Sequence, residues 1–182
     1  MNREDWLSQA TQKLASQVFH KDAPKVRVSC GFPSTRRGNR IGECWTPDSS
    51  EDATSEIFII PTISDPIRVL DILAHELCHA YTPGAGHKGA FTKIARGIGL
   101  EGKLTATVAG ERLTEQLRAI SEEIGPYPHG KLREGSSNTK KQTTRMLKVE
   151  CPCCGYVVRT TQKWIDSGLP SCPEGTEMEV SA

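Results

Sequence analysis

The stretch from Asp65 to His87 constrains this chain more than any other. Asp65 is a good N-cap, and Pro66 suits the first helical position, where no backbone N–H is needed. Ile67, Leu70, Leu73, Ala74 and Leu77 then recur at helical spacing and supply a broad apolar face. Thr82-Pro83-Gly84-Ala85-Gly86 stops the helix and turns the chain. The helix carries His75-Glu76-Leu77-Cys78-His79. At about 3.6 residues per turn, His75 and His79 sit one turn apart on one face, where two imidazoles can hold one zinc ion. Glu76 lies beside a ligand, within reach of a water at that ion. His87 follows the turn, at the start of a second helical stretch with Phe91, Ile94 and Ile98 on its apolar face. Three protein ligands and one open position make a catalytic zinc site, whereas a structural site is closed by four. The pattern predicts a zinc hydrolase; the bland alternative is an accidental grouping of histidines near a glutamate.

His75-Glu76-Leu77-Cys78-His79-Ala80 followed by His87-Lys88-Gly89-Ala90-Phe91 resembles the SprT-like zinc metallopeptidases, which include the Spartan DNA–protein-crosslink proteases. Their pattern pairs HExxH on one helix with a third histidine in an H-x-G-x-x-F or H-G-x-x-F setting, and here Lys88 separates His87 from Gly89. The likeness extends more loosely from Val26 to the C-terminus. It implies a zincin-like domain, zinc held by His75, His79 and His87, Glu76 as catalytic residue, a protein substrate, and DNA as partner. Metzincins fit less well, because their third histidine lies closer to the second.

The chain's 182 residues leave room for one solid domain and a small appendage. No stretch approaches the ~20 consecutive apolar residues that cross a membrane, so no membrane partner is expected. Met1-Asn2-Arg3-Glu4-Asp5-Trp6 begins a polar amphipathic segment and not a signal peptide. Together with seven cysteines at free-thiol or metal spacing, this predicts a cytoplasmic protein.

Trp6, Leu7, Ala10, Leu14 and Val18 predict a first helix from Asp5 to about His20, whose C-terminal carbonyls His20 would satisfy. Strands are expected at Val26–Phe32, Ile41–Trp45 and Glu56–Ile60, with a hairpin loop from Ser34 to Arg40. After the metal-helix pair come a glycine-punctuated loop from Gly97 to Gly110 and a last helix on Leu113, Leu117, Ile120 and Ile124. The order predicts an α+β fold: N-terminal helix, small β-sheet, HExxH helix, and a small C-terminal ribbon-like β module. The expected divisions are a metallopeptidase domain over 1–127, a basic flexible linker over 128–148 and a zinc-ribbon-like module over 149–182.

Cys151-Pro152-Cys153-Cys154-Gly155 reads as the first knuckle of a zinc ribbon, with Cys151 and Cys154 as its C-x-x-C pair. Cys172-Pro173 opens a second knuckle that is incomplete, since Glu174 and Gly175 stand where its partner cysteine would be. The expectation is a second, structural zinc on Cys151, Cys154 and Cys172, completed by a weaker ligand. Glu174 as oxygen ligand, Cys153 as fourth sulfur, and a metal-free ribbon stay open. A module of about 40 residues or fewer usually needs a metal or a partner surface to stay folded.

Lys131 to Lys163 holds eight basic and two acidic side chains in a chain whose net charge is +1. Lys140, Lys141, Arg145, Lys148 and Arg159 are the expected phosphate contacts, and Trp164 and Tyr156 the bases' stacking partners; a solvated linker with aromatics in the ribbon core is the alternative.

For the chemistry, Glu76 is expected to take a proton from the attacking water and deliver it to the leaving amine. His129 and Tyr81 are candidates for a second oxyanion donor, each more readily explained structurally. Asp71, one turn before His75, would orient that ring or else be an exposed aspartate. Arg36, Arg37 and Arg40 would lie near a sheet edge where an extended substrate could add, or form a solvated tip. Cys78, Cys30 and Cys44 are expected in the core. The rival readings are a non-proteolytic DNA-associated module that keeps zinc for folding, and a hydrolase of small amides.

Overall fold

A computed structural model describes residues 1–34, 40–133 and 145–181. The chain divides into two compact units, Met1–Gly135 and Ser136–Ala182. Most of the expected linker, with Lys140 and Lys141, and the expected loop residues Arg36 and Arg37 lie outside the described residues.

The first unit is built around two helices that bury their apolar faces on one another and on a small sheet. Helix α1 (Arg3–Leu14) begins with a capping box, in which the Asn2 side chain accepts from the Asp5 N–H and the Asp5 carboxylate accepts from the Asn2 N–H. Its last turn widens into a π-helical turn at Ala15–Phe19, and His20 ends it in the left-handed conformation with its N–H on the Ala15 carbonyl. Trp6, Leu7, Ala10 and Leu14 are fully buried, and the Trp6 indole N–H donates to the Gly125 carbonyl at 2.9 Å. That bond ties the first turn of the chain to the end of the unit's last helix.

Strands β1 (Val26–Cys30), β2 (Gly42–Trp45) and β3 (Ser55–Ile59) form one sheet in the order β1-β3-β2. β3 runs parallel to β1, with Val26 opposite Ser55, and antiparallel to β2, with Gly42 opposite Ile59. The segment between β1 and β2 is therefore no hairpin loop, since β3 separates those strands. The burial of β3 explains the arrangement: Ser55, Ile57 and Ile59 are buried, as a central strand requires. β2 is left as an edge.

Helix α2 (Pro66–Tyr81) has the expected start, with the Asp65 carboxylate accepting the Arg68 N–H at 2.7 Å. It packs on β2, β3, α1 and the later elements α3 (Ala90–Ile98), β5 (Ala106–Ala109) and α4 (Glu111–Ile124). Where a glycine-punctuated loop is expected, β4 (Leu100–Lys103) and β5 form an antiparallel hairpin that turns at Leu104-Thr105. Leu113, Leu117, Ile120 and Ile124 of α4 close the core as expected. Cys78 is buried there, whereas Cys30 and Cys44 are only half-buried. Among the described residues no helix is long and apolar enough to cross a membrane.

The second unit is a three-stranded antiparallel sheet in the order β7-β6-β8, formed by β6 (Leu147–Glu150), β7 (Val157–Thr160) and β8 (Glu179–Ser181), with a short helix α5 (Gln162–Ser167). Its buried residues are Val149, Cys151, Cys172 and Met178. The mixed helices and small sheets agree with the α+β expectation.

Candidate metal centres

Helix α2 presents His75 and His79 from one face, and the Pro-Gly turn brings His87 back to them. His87 lies in the turn three residues before α3 begins and not within that helix. The Nε2 atoms of His79 and His87 are 3.2 Å apart, and one ligand atom from each of the three rings lies within 4.8 Å of the others. Zinc bonds imidazole nitrogen at about 2.0–2.1 Å, so nitrogens that share one ion lie roughly 3.3 Å apart, and the spacing fits. Phe91, fully buried on α3, forms a floor beneath the rings: its centroid is 4.4 Å from His79, 5.0 Å from His87 and 5.2 Å from His75. Burial pushes His75 down to about 4 and His79 down to about 3, helped by the neighbouring imidazoles, and it lowers His87 too. Neutral rings are the ligating form, so no proton has to leave at neutral pH before a metal enters.

The rings open into a cleft of about 800 Å³ walled by Arg40 to Cys44 on one side and Thr105 to Val108 on the other. Glu76 is 6% exposed, and burial lifts its carboxyl to about 8. Gly42 of β2 is what admits it, because a Cβ at that position would stand 2.5 Å from Glu76 Oε1. The guanidinium of Arg40 pairs with Glu43, and that of Arg68 with Asp71, so among the described residues both arginines that line the cleft carry a carboxylate partner.

Three expected roles fall elsewhere. Asp71 is neither exposed nor bonded to His75; it is buried against Arg68, and the Nδ1 of His75 meets Thr107 Oγ1 at 2.7 Å instead. The Tyr81 hydroxyl donates to the Asp22 carbonyl, and His129 contacts the Pro61 carbonyl and Arg3, so neither ring faces the cleft. Gly42 and Thr107 are contributions that the sequence reading did not find. Each acts on α2 from a distant segment, and nothing in local pattern marks either.

In the second unit, Cys151, Cys153, Cys154 and Cys172 form a second group, again with ligand atoms within 4.8 Å of one another. Cys153 therefore joins the three cysteines expected, and Glu174 does not. The Sγ atoms of Cys151 and Cys153 are 3.5 Å apart, close to the ~3.8 Å that Zn–S bonds of ~2.3 Å impose on sulfurs sharing an ion. The first knuckle turns at Gly155 (φ +72°), whose N–H donates to the Cys151 carbonyl. The second turns at Gly175 (φ +86°), with its N–H on the Cys172 carbonyl. Gly175 occupies a left-handed position that a cysteine would strain.

Of the expected nucleic-acid contacts, Lys148 and Arg159 stand opposite each other on the β6–β7 ladder, with Lys148 also paired to Glu150, and Arg145 is exposed. Tyr156 and Trp164 are exposed, 47% and 60%, and lie outside the module's core. Lys163 lies over the Trp164 ring. No family model, curated protein or solved structure matches the chain.

Proposed function

We propose that the chain is a zinc-dependent endopeptidase of the SprT-like kind, acting on proteins associated with DNA. The observation that carries this reading is the joint placement of three neutral imidazoles and the buried Glu76 carboxyl along one open cleft. The donor set and its spacing fit zinc, which His75, His79 and His87 would hold. Zinc bound there supplies Lewis acidity and lowers the pKa of water. Glu76 would take the proton of the attacking water and pass it to the leaving amine, and its carboxyl is seated against Gly42 of β2. Among the described residues β2 is an edge strand along the cleft, and that edge would give an extended peptide backbone groups to pair with.

The four cysteines hold a second, structural zinc, since four thiolates close a tetrahedral site. DNA is the partner of the second unit, through Arg145, Lys148 and Arg159 for phosphate and through the exposed Tyr156 and Trp164 for stacking. The location consistent with free cysteines at metal spacing is a reducing cytoplasm.

The test compares the full chain with Glu76→Gln for zinc content and for cleavage of a DNA-bound protein, with and without DNA. The expected outcome is unchanged zinc and a fall in cleavage of at least ~10²-fold, the scale of lost general acid–base catalysis. Bound zinc with no cleavage by the unsubstituted chain under either condition would overturn the reading.

A further inference from the structure

We propose that Thr107 is a positioning residue for the metal: its hydroxyl holds Nδ1 of His75, fixes the angle of that ring and ties the β4–β5 hairpin to the centre. The inference rests on the zinc reading above and concerns a residue on a different element from all three ligands. Thr107 lies on β5, is buried, and has its Oγ1 at 2.7 Å from His75 Nδ1. A ring with Nδ1 engaged in this way has Nε2 left for the ion. That is the same atom with which His79 and His87 approach each other. With Nε2 given to the ion, the one proton of the neutral ring sits on Nδ1 and is donated to the Thr107 oxygen, and this hydrogen bond holds the ring at its ligating angle.

The geometry separates Thr107 from its neighbours on the hairpin. Residues alternate along a strand, and Ala106 and Val108 are exposed on the opposite side of β5 from buried Thr107. Asp71, one turn before His75, is committed to Arg68. A hydroxyl in this position, unlike a carboxylate, orients the ring without adding charge, so the net charge of the three-imidazole centre is left to the ion. Removing the hydroxyl leaves a buried N–H without an acceptor, which weakens the ligating geometry and not the fold as a whole.

The experiment uses the full chain and its Thr107→Val and Thr107→Ser variants. Zinc affinity is measured by competition with chelators for the equivalent that His79→Ala abolishes, and imidazole ¹⁵N–¹H spectra report the His75 tautomer and the exchange of its Nδ1 proton. The expected result is a ~10–100-fold weaker zinc equivalent in Thr107→Val with a rapidly exchanging Nδ1 proton, and recovery of both in Thr107→Ser. Wild-type affinity and proton protection in Thr107→Val would overturn the inference. Equal loss in Thr107→Ser would also overturn it, because the methyl and not the hydroxyl would then matter. A wild-type chain without any equivalent sensitive to His79→Ala would instead sink the metal reading itself, which keeps the two failures distinct.

Discussion

Replacing Gly42 with alanine should disarm the cleft without touching a ligand. Gly42 lies in β2, and its φ is outside the left-handed region, so alanine meets no backbone penalty there. What it meets is α2: the added Cβ would stand 2.5 Å from Glu76 Oε1, 2.6 Å from Ile72 Cγ2 and 3.1 Å from Glu76 Cδ. Non-bonded carbons settle at about 3.5–4.0 Å, so strand and helix must part, or Glu76 must swing, by roughly 1 Å. Overpacking of that size costs about 1–3 kcal/mol. A 1 Å misplacement near a reacting centre costs about 10²-fold in rate. The assay pairs calorimetry with cleavage of an unfolded protein substrate, in Gly42→Ala and in the double variant with Ile72→Ala. The double variant removes only the second clash. Its stability loss should be smaller than the sum of the single losses, while cleavage stays low because Glu76 remains displaced. Wild-type cleavage and an unchanged melting temperature in Gly42→Ala would refute the account of how Glu76 is seated.

Two further outcomes are expected. Stripping metal with a strong chelator should unfold the second unit, whose buried residues among those described are Val149, Cys151, Cys172 and Met178, and leave the first unit folded on its own core; the methyl signals of Val149 and Met178 report it, and their persistence would refute a structural metal. Burial pushes the thiols of Cys44 and Cys78 up to about 12, so the thiolate that alkylating agents need forms only as pH rises toward that value. At pH 8 mass spectrometry should find label on Cys153 of the metal-stripped chain and none on Cys78, and prompt labelling of Cys78 would contradict its burial.

The helix that carries the site was legible because everything that defines it is local. Asp65 caps the Arg68 N–H, Pro66 occupies the first position, and the apolar stripe follows at 3.6-residue spacing. The strands were legible as strands but not as neighbours: β1 and β2 look like the arms of a hairpin until the buried face of β3 claims the place between them. The β4–β5 hairpin escaped because Gly99, Gly102 and Gly110 mask a short, weakly alternating pattern. Gly42 and Thr107 escaped for a different reason. Each matters through its approach to α2 across some thirty residues of sequence, and such an approach leaves no trace in local composition. In the second unit, the local spacing suggested Cys151, Cys154 and Cys172 and left Glu174 and Cys153 open for the fourth place; the grouping of the sulfurs chooses Cys153.

The strand order also sets a sequence of events. β1 and β2 have no partner until β3 arrives between them, and β3 is the last of the three to be synthesised. Its pairing with β1 spans Val26 to Ser55, a long-range closure that precedes any reward from the sheet. Only a few residues separate Ile59, where β3 ends, from Pro66, where α2 begins. The step that completes the sheet therefore also delivers His75, Glu76 and His79 to the edge of β2. The cleft itself still waits for His87 and for the β4–β5 hairpin, whose Thr105 to Val108 form its other wall.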